Sequence, residues 1–277
     1  MTPRGLLPTA VGSGEIVVHV LGSGSGWPTP RRDTSSLLIG VVDGWSLVEC
    51  PGSIVHKLAV LGLLPGDLRR LILTHNHVDH IYGLAHLLQA MAIAGAPATF
   101  ELLAPRQTIE SVHGVVATHG LDDKHHPRLE LVEVELSDEP QVVPVEGLRL
   151  RAARTAHSRD TAALRFEAGD VAVCYSSDTR PCEAVAQLAR DADILWHDCG
   201  GPHRQRAAFS QGHSSALEAG RIASKAGARR LALMHLGSRD DRELQECVQE
   251  ASGAFEGPVA LAEDGETWTL SETTEDR

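Results

Sequence analysis

Apolar positions along the chain gather into short runs bounded by glycine, proline and charged residues. The run at residues 16–21 has strand character and leads into Gly22-Ser23-Gly24-Ser25-Gly26-Trp27-Pro28. Residues 36–42 and 45–49 read as the next two strands, joined by a turn at Asp43-Gly44. Helical spacing covers residues 54–61 and stops at Gly62. A short apolar strand at 71–73 follows, then a helical stretch over 83–94. Between 100 and 150 short apolar runs alternate with turns, and the polar, histidine-containing stretch 113–128 predicts a loop or flap. Residues 1–15 are rich in Gly, Pro and Thr and read as a flexible leader to a single domain over 16–277.

The second half repeats one rhythm, a strand that ends in a polar residue. Residues 148–154 end at Thr155-Ala156-His157, and residues 171–175 end at Ser176-Ser177-Asp178. Residues 194–196 end at His197-Asp198, and residues 231–234 end at His235. Helices are expected at 183–190 and 215–226. In the latter, Ser215 and Glu218 form a capping-box signature and Gly227 is a C-terminal stop. Strands alternating with helices, with polar residues at strand ends, describe a layered α/β domain.

The densest chemistry follows the strand at 71–73. Thr74-His75-Asn76-His77-Val78-Asp79-His80-Ile81-Tyr82-Gly83 brings imidazoles and a carboxylate to one place, a donor set suited to zinc. In an extended segment His75 and His77 share a side and can hold one ion. Asp79 and His80 come after the turn has begun and can face a second. Two ions need about six protein ligands and a bridging group. His75, His77 and His157 supply one set, Asp79, His80 and His235 the other, and Asp178 the bridge, with a hydroxide between the ions as nucleophile. Because every ligand is nitrogen or oxygen, manganese or iron would also fit.

Bulk properties narrow the setting. The 277 residues carry a formal charge of −12, which argues against a nucleic-acid partner, since phosphate binding draws on lysine and arginine. Five cysteines with no C-x-x-C pair fit neither a disulfide framework nor a cysteine zinc site and suggest a reducing, cytoplasmic compartment. No apolar run approaches the roughly 20 residues of a membrane span.

The motifs at 74–80, Thr155-Ala156-His157-Ser158, Ser177-Asp178-Thr179, Gly212-His213-Ser214-Ser215 and Met234-His235 resemble the metallo-β-lactamase superfamily, in its ribonuclease Z and phosphodiesterase branch. The opening from Gly22 to Arg32 is similar to the start of ribonuclease Z-like chains. The resemblance implies a four-layer αβ/βα sandwich with a dinuclear site at one edge of the sheets. It implies that His213 assists the leaving oxygen and that Asp198, in His197-Asp198-Cys199-Gly200, orients His213. His213, Asp79 and Asp198 form the expected catalytic set. Transfer-RNA-processing members carry a basic arm between the residues that here are His157 and Asp178, and this interval holds only residues 158–177. A phosphodiesterase acting on a small phosphate diester is therefore expected. A lactone or carboxylic-ester hydrolase is the alternative, ahead of a transfer-RNA 3′ endonuclease or a non-catalytic metal-binding regulator. A homodimer is common in the family. His113, His119, His125, His126 and His203 are expected in loops, Trp27 and Tyr82 at the pocket mouth, and the substrate is expected to depend on residues 22–33 and 113–128.

Overall fold

The computed structural model describes residues 7, 8, 10–121 and 124–271. The first half builds β1 (Glu15–Gly22), β2 (Ser36–Val41), β3 (Gly44–Val48), β4 (Leu68–Ile72), β5 (Thr99–Ala104) and β6 (Arg128–Glu133). Helices α1 (Ile54–Val60), α2 (Val78–Ile81), α3 (Leu84–Ala94) and α4 (Arg106–His119) lie among them. The second half builds β7 (Gln141–Val142), β8 (Arg149–Arg154), β9 (Ala162–Ala168), β10 (Val171–Tyr175), β11 (Ile194–Asp198), β12 (Leu231–Met234) and β13 (Val259–Leu261). Its helices are α5 (Glu183–Leu188), α6 (Ala216–Ala226) and α7 (Asp241–Ser252), and β14 (Thr267–Ser271) then returns to the first sheet.

The sheets mirror each other in order, β14-β1-β2-β3-β4-β5-β6 and β13-β12-β11-β10-β9-β8-β7. Each is antiparallel at one side and parallel at the other: β3 to β6 run parallel, as do β10 to β13. Strands covered on both faces must be apolar throughout, and β2 and β10 are buried along their whole length. Ile16, Val18 and Ile39 of one sheet and Phe166, Val173 and Trp196 of the other share a single core between the sheets. Residues of α1 and α3 with Val112 of α4 close the outer face of the first sheet, and α5, α6 and α7 close that of the second. The result is the expected four-layer α/β sandwich.

The parallel strands set up the site. Beyond β3 comes Glu49, beyond β4 His75, beyond β10 Asp178 and beyond β12 His235, while β11 ends on Asp198. Strand ends in α/β sheets gather polar groups because backbone there leaves the ladder and is free to turn.

Three expectations need correction. The stretch 113–128 is not one loop: His113 and His119 lie in α4, which Gly120 ends in the left-handed conformation at φ 62. Only residues 120–127 connect α4 to β6, and 122 and 123 lie outside the described residues. Strand β11 runs on through His197 and Asp198 rather than stopping at Trp196. Within the expected leader, Leu7 packs against the outer core of the first sheet, while residues 1–6 and 9 lie outside the described residues.

Candidate metal centre

Three imidazoles meet at one point. His75 Nε2 and His157 Nε2 each lie 3.1 Å from His77 Nδ1. Two nitrogens each about 2.0–2.1 Å from a common zinc, at tetrahedral to octahedral angles, stand about 2.9–3.4 Å apart, so the spacing suits a shared cation. The far nitrogens are held: His157 Nδ1 bonds the Gly212 carbonyl at 2.8 Å and His75 Nδ1 meets Thr74 Oγ1 at 3.0 Å. Such outer contacts fix which nitrogen faces inward.

A second set adjoins the first. Asp79 Oδ2 is 3.4 Å from His80 Nε2 and 3.7 Å from His235 Nε2. Between the sets sits the buried Asp178, with Oδ2 3.6 Å from His75 Nε2 and 3.5 Å from His80 Nε2, and Oδ1 3.5 Å from His235 Nε2. Asp178 Oδ1 and His235 Nε2, which face each other across the cluster, are buried with no hydrogen-bond partner among the described residues. Orphaned buried donors and acceptors are costly, and a cation would satisfy them together. The donor set fits divalent ions. Backbone strain concentrates here too: Glu49, Ser177 and His235 hold positive φ of 65°, 53° and 53° without being glycine.

Residues 53–236 match the family described as "Beta-lactamase superfamily domain". The chain belongs to the metallo-β-lactamase superfamily. It is a metal-dependent hydrolase. It is 29% identical to a protein named "Ribonuclease Z" from Pseudomonas putida (strain W619), covering 88% of this chain and 93% of that one. Among solved structures, the metallo-β-lactamase fold protein YhfI from Bacillus subtilis is similar at TM-score 0.78 and 28% identity, over 92% of this chain and 100% of that one. The short form of human tRNase Z shares the fold at TM-score 0.71 and 22% identity, over 91% and 98% of the two chains.

The seven metal-ligand candidates thus fall into two adjoining sets, His75, His77 and His157 with Asp178, and Asp79, His80 and His235, with His213 and Asp198 beside them. Asp198 is buried, with Oδ2 3.1 Å from His213 Nδ1 and also accepting the Thr179 N–H at 3.0 Å. Its Oδ1 is 3.4 Å from His235 Nδ1, so it addresses two imidazoles, not His213 alone. The His213 ring stacks on that of His235 at 4.9 Å. The sequence reading missed Glu49. This buried carboxylate accepts the Thr74 hydroxyl and backbone N–H and has Oε1 3.2 Å from His80 Nδ1. Its one signal in the sequence is an acid closing an otherwise apolar run.

Charge in the cluster is strongly redistributed. Burial, helped by neighbouring imidazoles, pushes His75, His77 and His157 down against the pull of Asp178. Burial also opposes a charge on His235, yet Asp178, Asp198 and Asp79 outweigh it and push the imidazole up to about 10. At His80 burial is likewise overcome, by Asp178 and Glu49. Burial would raise Asp178, but His235 and His80 hold it well below the usual carboxylate range. The carboxylates therefore draw positive charge to this point, a demand that divalent cations meet by displacing protons.

A cavity of about 400 Å³ opens over the cluster, lined by Asp79, Asp178, His213 and His235 with Gly26 and Phe209 among its walls. Trp27 and Tyr82 do not line it. Trp27 is exposed with the Arg239 guanidinium 4.0 Å from its ring, and Tyr82 packs over Gly52. None of His113, His119, His125, His126 and His203 joins the ligand clusters. Against the loop expectation, His203 begins a short 3-10 segment and its Nδ1 meets Ser215 Oγ at 2.8 Å.

Proposed function

We propose that this hydrolase is a dinuclear phosphodiesterase that cleaves a small phosphate diester. The observation that carries the reading is the His213–Asp198 pair beside the ligand cluster. Asp198 engages Nδ1 of His213, which leaves Nε2 of a cavity-lining imidazole for a departing oxygen. Burial works against a proton on His213, but Asp198 outweighs it, so the imidazole is held above its ordinary value and its protonated, donating form is favoured. His75, His77 and His157 would hold one ion, Asp79, His80 and His235 the other, and Asp178 would reach both. Zinc suits this set, and manganese or iron would also be accepted. Bound there, the ions would lower the pKa of water and offset charge on the phosphoryl oxygens.

A second reading, processing of a transfer-RNA 3′ end, is favoured by the relative named "Ribonuclease Z". That name weighs against the sequence expectation that nucleic acid is not a substrate. In favour of a small diester, residues 158–177 carry no inserted arm: β9 and β10 pair directly through a tight turn at Gly169-Asp170. Five unpaired cysteines support a reducing, cytoplasmic setting, and no helix among the described residues is long and apolar enough to cross a membrane. The resemblance supports a homodimer.

The test is leaving-group dependence. An alkoxide needs a proton donor and a nitrophenolate does not, a difference of about 10²–10⁴-fold. His213→Ala should damage hydrolysis of alkyl phosphodiesters far more than that of bis(nitrophenyl) phosphate, with metal content unchanged. Equal losses on the two substrates would remove His213 from this role, and turnover of lactones without diesters would replace the reading. Efficient cleavage of precursor transfer RNA would favour the second one.

A further inference from the structure

Three strand ends meet on one carboxylate beside the ligand cluster. Glu49 directly follows β3, Thr74 comes two residues after β4 and Ser177 two residues after β10, and all three are buried. Glu49 Oε2 accepts the Thr74 N–H at 3.2 Å, and Oε1 accepts the Thr74 hydroxyl. Thr74 Oγ1 is also 3.0 Å from His75 Nδ1 and 2.7 Å from Ser177 Oγ. Glu49 Oε1 faces His80 Nδ1 at 3.2 Å, and that buried nitrogen makes no hydrogen bond to any other group among the described residues.

Counting protons orders these contacts. A carboxylate only accepts, and a hydroxyl has one proton to give and two lone pairs. The Thr74 proton goes to Glu49, so Thr74 Oγ1 must accept from its other two neighbours. Ser177 gives its hydroxyl proton, and His75 gives Nδ1–H. With that proton on Nδ1, His75 turns the lone pair of Nε2 toward His77 and Asp178. At His80 the charge of Glu49 draws the ring proton to Nδ1 directly and leaves Nε2 facing Asp79 and Asp178. His75 belongs to one ligand set and His80 to the other.

We infer that Glu49 is a positioning residue for both ions: it fixes the ligating nitrogen of His80 by its charge and that of His75 through the Thr74 hydroxyl. The inference rests on the dinuclear reading proposed above and concerns affinity for the ions rather than the bond that is cleaved. A neutral imidazole left to itself divides its proton between two nitrogens, and only the form with the inward lone pair free can bind. Glu49 and Ser177 both hold left-handed backbone, at φ 65° and 53°, a conformation that persists where surrounding contacts over-determine it.

Stepwise zinc affinities of metal-free protein, measured in competition with a chelating indicator, test this without reference to turnover. The wild type should show two binding constants. Glu49→Gln replaces the charge and one acceptor oxygen by an amide and should weaken both, each about 10- to 100-fold. Thr74→Val removes only the hydroxyl that orders His75. It should weaken one constant over the same range and leave the other near the wild-type value, and Thr74→Ser, which restores the hydroxyl, should recover it. Glu49→Gln weakening one constant or none, Thr74→Val weakening both or none, or Thr74→Ser failing to recover would overturn the inference while leaving the dinuclear reading in place. Should Glu49→Gln not fold, nitrogen-15 spectra of the zinc-loaded wild type decide the His80 branch. The ring proton is expected on Nδ1, and a proton on Nε2 would overturn it. Fewer than two zinc ions bound by the wild type would instead remove the dinuclear reading, and this inference with it.

Discussion

At the scale of single residues, Asp198 links the proton donor to the ligand cluster. Its two oxygens face His213 and His235, so its charge both holds a proton on His213 and steadies a ligand imidazole. His213 is active as a donor when protonated, and that form is lost as pH rises through its raised pKa. Asp198→Asn removes the charge that raises it. The alkaline limb of the alkyl-diester rate profile should move to lower pH, and metal affinity should fall about 10- to 100-fold. A pH profile with metal titration on the variant checks both, and an unmoved limb would place the donor elsewhere. Residues of this kind differ in how legible they are. His75, His77, Asp79 and His80 declare themselves because they crowd one turn of chain. Glu49 and the double role of Asp198 depend on contacts between distant segments, which spacing does not encode.

At the scale of elements, α6 shows what local chemistry contributes. Ser215 Oγ accepts the Glu218 N–H while Glu218 Oε2 accepts the Ser215 N–H at 3.0 Å, the capping box expected from the sequence. His203 adds a contact to the same hydroxyl. Ser215→Ala should cost about 1 kcal/mol and lower the melting temperature by about 2–4 °C, which calorimetry can measure; no change would mean that the cap is dispensable. Strands β2 and β10 were legible because burial on both faces leaves unbroken apolar runs. Helix α4 was not, since only Thr108 and Val112 are fully buried and Gly114 with its histidines gives a polar look. Its helical spacing, Thr108 to Val112 to Val116, was present but diluted. Helix α7 buries only Leu244, Cys247 and Ala251 and was passed over for the same reason.

At the scale of the molecule, two sheets of matching order bring strand ends from distant parts of the chain to one edge. The closing strand β14 pairs with β1, matching Glu15 with Ser271, a long-range register that no local pattern announces. The layered fold was readable from the alternation of elements, whereas the layout of the cavity came only with the assembled structure. On the reading proposed above, this edge holds two ions that support diester hydrolysis. Metal-stripped protein titrated with zinc, while hydrolysis of bis(nitrophenyl) phosphate is followed, tests it most directly. Activity should rise to a plateau at two equivalents per chain, and Asp178→Ala, which removes the carboxylate between both ligand sets, should bind neither ion tightly and stay near background. A plateau at one equivalent, or full zinc loading without turnover, would rule out a dinuclear diesterase site here.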